Sequence, residues 1–410
     1  MRLVRRSVGA VLVAGLLATT TAHAEVPLVW HVETMDGDDV TSARADEPVN
    51  PASVVKLATT LVALEQLGSR HRFETVFGAG GTFDSDSGVL DGDLIVVGGG
   101  DPDFHVENGM LVAQALRDAG LRTVTGALVV DDRFWIGWEG GSERRQRDPV
   151  KRAQSMAVGL RAALDPKRWN DGMRKTWQRS AARARGGATP ARIAVRGGVQ
   201  YATGRTPDRM LATHRSNPLV RTFKRLNVHS NNDIERFEAS IGSAATVGAG
   251  LGARWDFPPS SLRLATLSGL GSNRIPARAI VRLLVDLAAV CEREGIDVAE
   301  LLAVSGCNSG TLRWLPGLSR QPAGALVAKT GTLVVTDGGV VALAGYAYVA
   351  DTTLRFAVAA PRAGKGVPEA RQAIATWVKD LAGQHGGFPK RSCTPRSGYS
   401  DDAASAVAIK

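Results

Sequence analysis

Apolar positions along the 410-residue chain follow two rhythms, one with a period near 3.6 and one near two. The helical rhythm is clearest over residues 50–68. There Val54, Leu57, Ala58, Leu61, Val62 and Leu64 recur behind Pro51 and Ala52, and Gly68 supplies a stop. Residues 277–295 repeat the pattern with Ile280, Leu283, Leu284, Leu287 and Val290. Residues 368–382 do so with Ala370, Ile374, Trp377, Val378 and Leu381 on one face, which predicts packing on the adjacent strands. Helices are also predicted over 109–119 and from Asn217-Pro218-Leu219 to Val228. β-rich runs predict strands at 28–32, 93–97, 127–130, 325–328, 340–349 and 354–359, with several short strands over 72–104.

The first residues break both rhythms. Arg2, Arg5 and Arg6 precede an apolar run from Val8 to Leu17 and a small-x-small Ala22-His23-Ala24, which predicts a secretory signal peptide over 1–24. No cysteine follows it, and no later stretch approaches the uninterrupted apolar length of a membrane span. The expectation is export to the periplasm with no transmembrane span. Loss of three arginines lowers the formal charge from +10 to +7, a balance that suits anionic envelope polymers.

Length predicts two domains, or one carrying an insertion. Over 141–190 there are 13 Lys or Arg against four acidic residues, with Trp169 and Trp177 interleaved. This stretch reads as a solvated, Arg-rich helical surface on an inserted domain, with no nucleic acid expected. From 386 to 410 the chain turns rich in Gly, Pro, Ser and Asp and is expected to form a flexible tail. Cys291, Cys307 and Cys393 allow one bridge, with Cys291–Cys307 the nearer pair in sequence. Seven scattered histidines, with no CxxC and no HExxH, predict neither metal nor cofactor. Gly98-Gly99-Gly100 precedes Asp101-Pro102 and lacks a following Gly-Lys-Ser/Thr, so it reads as a turn rather than a phosphate loop.

The chemistry starts at Ser53. It falls in the first turn of the 50–68 helix, where free backbone N–H groups point forward. Lys56, three residues on, shares its face, an arrangement that can activate a serine for acyl transfer. Two further triplets follow in order, Ser230-Asn231-Asn232 after a helix and Lys329-Thr330-Gly331 in a strand. Ser-x-x-Lys, Ser-x-Asn and Lys-Thr-Gly together are the signature of penicillin-binding proteins and serine β-lactamases.

The chain resembles more narrowly the class C low-molecular-mass penicillin-binding proteins, the D-alanyl-D-alanine carboxypeptidase/endopeptidases of the S13 peptidase type. The likeness rests on Asn50 to Lys56, Gly100-Asp101-Pro102, Val130 to Phe134, Asn217-Pro218-Leu219 and His229 to Asn232. It continues through Gly310-Thr311-Leu312, Ala328 to Leu333 and Ala344-Gly345-Tyr346. Thr266 stands where the family has Asp before Ser268-Gly269-Leu270.

The resemblance implies an α/β (α+β) fold of the serine β-lactamase/DD-peptidase transpeptidase type, an antiparallel sheet flanked by helices with a β-rich inserted domain. It places the catalytic domain over 25–75 and 205–385 and the insertion over 76–204. Ser53 would be the nucleophile, Lys56 its neutral base and Ser230 the relay to the leaving amine. Asn232 would hold the substrate backbone, Lys329 and Thr330 the terminal carboxylate, and Gly331 would allow close approach. Backbone N–H groups of Ser53 and Thr332 would form the oxyanion hole. Burial and the neighbouring Lys329 cation are both expected to push the Lys56 pKa down, with Lys329 keeping Lys56 neutral. The partners implied are peptidoglycan peptide stems and covalently bound β-lactams. A β-lactamase-like hydrolase and a non-catalytic peptidoglycan-binding protein remain alternatives.

Overall fold

The computed structural model describes residues 26–37, 40–183, 189–393 and 406–409. The signal-peptide expectation over 1–24 and much of the expected tail lie outside the described residues.

Two sheets with separate cores organise the chain. The first begins with β1 (Val29–Thr34) and β2 (Val40–Ala43), after which α1 (Lys56–Leu67) follows a 3₁₀ turn at Ala52–Val55. The second sheet takes up the chain from β3 (Glu74–Asp84) and β4 (Val89–Val97) through β5 (Thr123–Val124), β6 (Leu128–Val130), β7 (Ala194–Val195), β8 (Val199–Tyr201) and β9 (Arg209–Arg215). Helices α2 (Val106–Asp118), α3 (Pro149–Leu164) and α4 (Asp171–Arg183) belong to the same unit. The chain then returns to the first unit through α5 (Leu219–Val228), α6 (Glu238–Ile241), α7 (Ala244–Arg254) and α8 (Ala277–Glu294). It ends in β10 (Ala303–Val304), β11 (Leu326–Leu333), β12 (Val340–Tyr348), β13 (Thr353–Pro361) and α9 (Val367–Gln384).

The first sheet has the order β10-β11-β12-β13-β1-β2, with every pairing antiparallel. Its strand β12 is apolar along its length because both faces are covered. Ala342, Ala344 and Tyr346 of β12 join the core that contains α1 and α8. Val341, Leu343 and Ala347 join the core that contains Ile374 and Val378 of α9. The period-two pattern thus sorts one strand between two helix layers.

The inserted unit begins and ends where Glu74 pairs with Arg215 across β3 and β9. It has its own core, in which Leu94 and Val96 meet Met110 and Val112 of α2 and Met156 and Leu160 of α3. The Arg-rich stretch therefore folds largely as α3 and α4. Ala153, Ala157 and Ala163 turn the apolar side of α3 inward, while Lys151, Gln154 and Ser155 are exposed. Glycines 98–100 form a turn whose amides bond Asp131, Thr75 and the Arg133 carbonyl, so no anion-binding nest is left.

One of the possible bridges forms, and it is not the pair nearer in sequence. Cys307 bonds Cys393, with the Cα atoms 5.8 Å apart, and Cys291 stays a free thiol. Cys291 faces inward from α8 into the core, where burial raises its thiol pKa to about 12. Residues 386–393 are tied down by this bridge and by the Ala350 amide bonding Gly387, and Ala406–Ile409 pairs antiparallel with β9. Among the described residues, no helix is long and apolar enough to cross a membrane.

Candidate active site

Ser53 is presented by a strained loop. Ala52 adopts φ +50°, in the left-handed region, and its amide is captured by the Asn50 side-chain oxygen at 3.0 Å. Asn50 in turn donates to the Gly271 carbonyl and to Asp337. Asp337 is clamped by Arg274, and that bond above all lowers its pKa to about 2. The nucleophile's backbone is thus fixed by a chain of buried and half-buried polar groups rather than by helix packing alone.

Lys56 opens α1 with its whole side chain buried. Its Nζ lies 2.9 Å from Ser53 Oγ, 2.9 Å from Asn232 Oδ1 and 2.6 Å from the Ser268 carbonyl. Burial lowers its pKa from 10.5 to about 7, against an opposing pull from Glu235. Of the two expected causes, burial is the one that lowers Lys56 in the free site, and the charge of Lys329 is not. The repulsion between the two lysines instead falls on Lys329, which is held well below its usual pKa by burial and then by Lys56.

Ser230 caps α5 in an unusual way. Its amide bonds the Asn227 carbonyl and the Asn231 amide bonds the Leu226 carbonyl, the two bonds of a Schellman motif. The left-handed position of that motif is normally glycine, yet here Ser230 occupies it with φ +54°. Its hydroxyl reaches Lys329 Nζ at 2.8 Å. Lys329 also bonds the Thr330 carbonyl, and Thr330 Oγ1 bonds Thr311 Oγ1 at 2.7 Å.

β11 supplies the other wall. It pairs with β12 along its whole length, but with β10 only at Ala328 and Val327. From Lys329 onward its outer edge has no strand neighbour among the described residues. Gly331 brings that edge against the nucleophile loop: a Cβ there would stand 2.4 Å from the Pro51 carbonyl and 3.2 Å from the Ser53 amide. Gly269 is excluded from change in the same way, 2.1 Å from the Ala52 carbonyl. Ser53, Ser230, Asn232, Thr330 and Thr332 line one cavity of about 260 Å³. All eight residues named from the sequence therefore converge.

A family model for the D-Ala-D-Ala carboxypeptidase 3 (S13) family matches residues 21–152 and 189–381, which is most of the chain. The chain belongs to the S13 family. Among curated proteins, a D-alanyl-D-alanine carboxypeptidase of Actinomadura sp. (strain R39) is 36% identical over 104 residues. That match covers 25% of this chain and 19% of the relative's length. Among solved structures, a predatory endopeptidase of Bdellovibrio bacteriovorus in complex with an immunity protein superposes with a TM-score of 0.76. It is 20% identical and covers 93% of this chain and 99% of its own. Another predatory endopeptidase of that organism, solved acylated by penicillin G, gives 0.72 at 20% identity, with 93% and 99% covered. At these identities the structural likenesses show the fold alone.

Several residues of this S13 site carried no signal in the sequence. The Ser268 carbonyl holds Lys56 through backbone, which leaves no mark in residue type. Thr266, two residues before Ser268, closes its own turn by donating to the Leu270 carbonyl and accepting from the Gly269 amide. Asp233 accepts the amides of Glu139, Gly140 and Gly141, at 2.8, 2.8 and 2.9 Å. Glu235 accepts from Ser142 and from the Ser268 hydroxyl. The inserted unit thus grips the turn that carries Asn232. The acidic spacing Asp233-x-Glu235 beside Ser-x-Asn was the one available clue. Trp314 and Arg371, which also line the cavity, come from segments the triplets do not reach.

Proposed function

We propose that the protein is an exported serine DD-peptidase of peptidoglycan, cleaving D-Ala-D-Ala, D-Ala-diamino-acid cross-links, or both through a Ser53 acyl-enzyme. The observation that carries this reading is a fully buried lysine, with its pKa near 7, 2.9 Å from the serine hydroxyl.

Lys56 in its neutral form accepts the Ser53 proton as Oγ attacks the scissile carbonyl. The developing oxyanion faces the amides of Ser53 and Thr332, which Gly331 allows to lie side by side. The leaving amine takes a proton through Ser230, which bridges toward Lys329. The substrate peptide runs as an added strand along the open edge of β11, with Asn232 on its other side. Water then hydrolyses the ester.

Two lysines in one buried site share their protons. In the free enzyme both are disfavoured as cations. An arriving carboxylate favours charge on the lysine nearest to it. Substrate binding therefore draws the proton to Lys329, beside Thr330 and Thr311, and keeps Lys56 neutral. A β-lactam carries its own carboxylate and is expected to acylate Ser53 in the same way. The penicillin G adduct of the Bdellovibrio endopeptidase supports this. The Cys307–Cys393 disulfide supports an oxidising compartment such as the periplasm.

Incubation with purified muropeptides followed by mass analysis tests the proposal. Loss of one D-alanine, conversion of dimers to monomers, or both are expected. Absence of both changes contradicts it.

A further inference from the structure

The active-site cavity continues past the carboxylate clamp into a region that removal of a single D-alanine does not use. Thr311 bonds Thr330, and the 3₁₀ turn that holds it, Gly310–Trp314, brings Trp314 and Leu315 to the cavity wall. Arg371, in the first turns of α9, closes the wall. Among the described residues, no acidic side chain lines the cavity.

Two features of this wall ask for a ligand. Trp314 is 52% exposed at the cleft, with the guanidinium groups of Arg313 and Arg371 at 5.1 and 5.7 Å from its ring. Arg371 makes no ion pair among the described residues, and its Nε is buried without a hydrogen-bond partner among them. A guanidinium held on an aromatic face at the cavity wall, with no carboxylate paired to it among the described residues, can grip a planar anion.

The position decides which part of the substrate this is. The clamp at Lys329 and Thr330 takes the carboxylate next to the scissile amide. A lone D-alanine ends there, with only a methyl group to spare. In a cross-link the leaving residue is a diamino acid, and it carries on into a second peptide stem that bears further carboxylates. We propose that Arg371 and Trp314 form a leaving-group subsite for this acidic acceptor stem and so select cross-linked substrate over a terminal D-alanine. The inference rests on the DD-peptidase reading and adds its substrate preference.

Wild type, Arg371→Gln, Arg371→Lys and Trp314→Ala are each given muropeptide dimers and pentapeptide monomers, and penicillin acylation is measured on the same preparations. In Arg371→Gln the ratio of dimer cleavage to D-alanine release is expected to fall on the order of 10-fold, the size of a lost charged hydrogen bond. The fall should reside mainly in the dimer KM. Arg371→Lys should restore part of it, since charge remains without the fork. Amidating the acceptor-stem carboxylates should lower the wild-type ratio and leave that of Arg371→Gln where it is. An equal loss on dimers, pentapeptide and penicillin would show a merely structural role and overturn the subsite, as would an unaltered ratio. Wild type that is acylated by penicillin yet cleaves neither muropeptide would overturn the DD-peptidase reading and this inference together.

Discussion

At the scale of single residues, the site depends on protonation and on a strained backbone. Lys56 acts as base only when neutral, and its folded pKa is about 7. Below that pH it is a cation and cannot take the Ser53 proton. The second-order rate of penicillin acylation should therefore rise through about pH 7 and level off above it, and a rate already flat from pH 5.5 would contradict this assignment. Ser230 makes a different point, since it holds a glycine position in the cap of α5. Ser230→Gly is expected to raise thermal stability by about 1 kcal/mol while slowing release of the leaving group. A variant that loses stability would show that the Lys329 bond outweighs the strain. Residue types and order made Ser53, Lys56, Ser230, Asn232 and Lys329 legible in the sequence. Burial of Lys56 could be expected from its role, but that burial outweighs the Lys329 charge could not, because it depends on the packed surroundings and leaves no local pattern.

At the scale of elements, the turn Asn232–Phe237 is held from outside its own unit. Asp233 is fully buried and accepts three amides from residues 139–141. Arg236 beside it is also buried and bonds Glu139 and the Pro102 carbonyl. Asp233→Ala leaves those amides without their acceptor and should cost roughly 3 kcal/mol, read in denaturant unfolding. Acylation should slow as Asn232 loses its register, and Asp233→Asn should recover part of both losses. Normal acylation in the Ala variant would show that the grip is dispensable. Periodicity in the sequence revealed α1, α8, α9 and the strands β11 to β13, because their apolar faces repeat. The grip between 139–142 and 233–235 was hidden, since its donors are backbone amides some 93 residues away.

At the scale of the whole molecule, two separately cored units meet behind the turn that carries Asn232, and the disulfide ties the segment after α9 to the loop after β10. The bridge spans 86 residues, so its removal should cost roughly 2–4 kcal/mol. Cys393→Ser should lower Tm, and a reductant should lower the wild-type Tm to match while leaving the variant unchanged. A wild-type Tm indifferent to reductant would contradict the bridge. Sequence spacing left the pairing open, since pairing follows which thiols face each other, and α8 turns Cys291 into the core. On the proposed mechanism, Ser53 is a nucleophile toward acyl donors. Mass analysis of the protein after exposure to penicillin G tests it most directly. A single penicilloyl adduct on the Ser53 peptide, absent from Ser53→Ala, is the predicted result. An adduct that persists in Ser53→Ala, or maps to another residue, would contradict it.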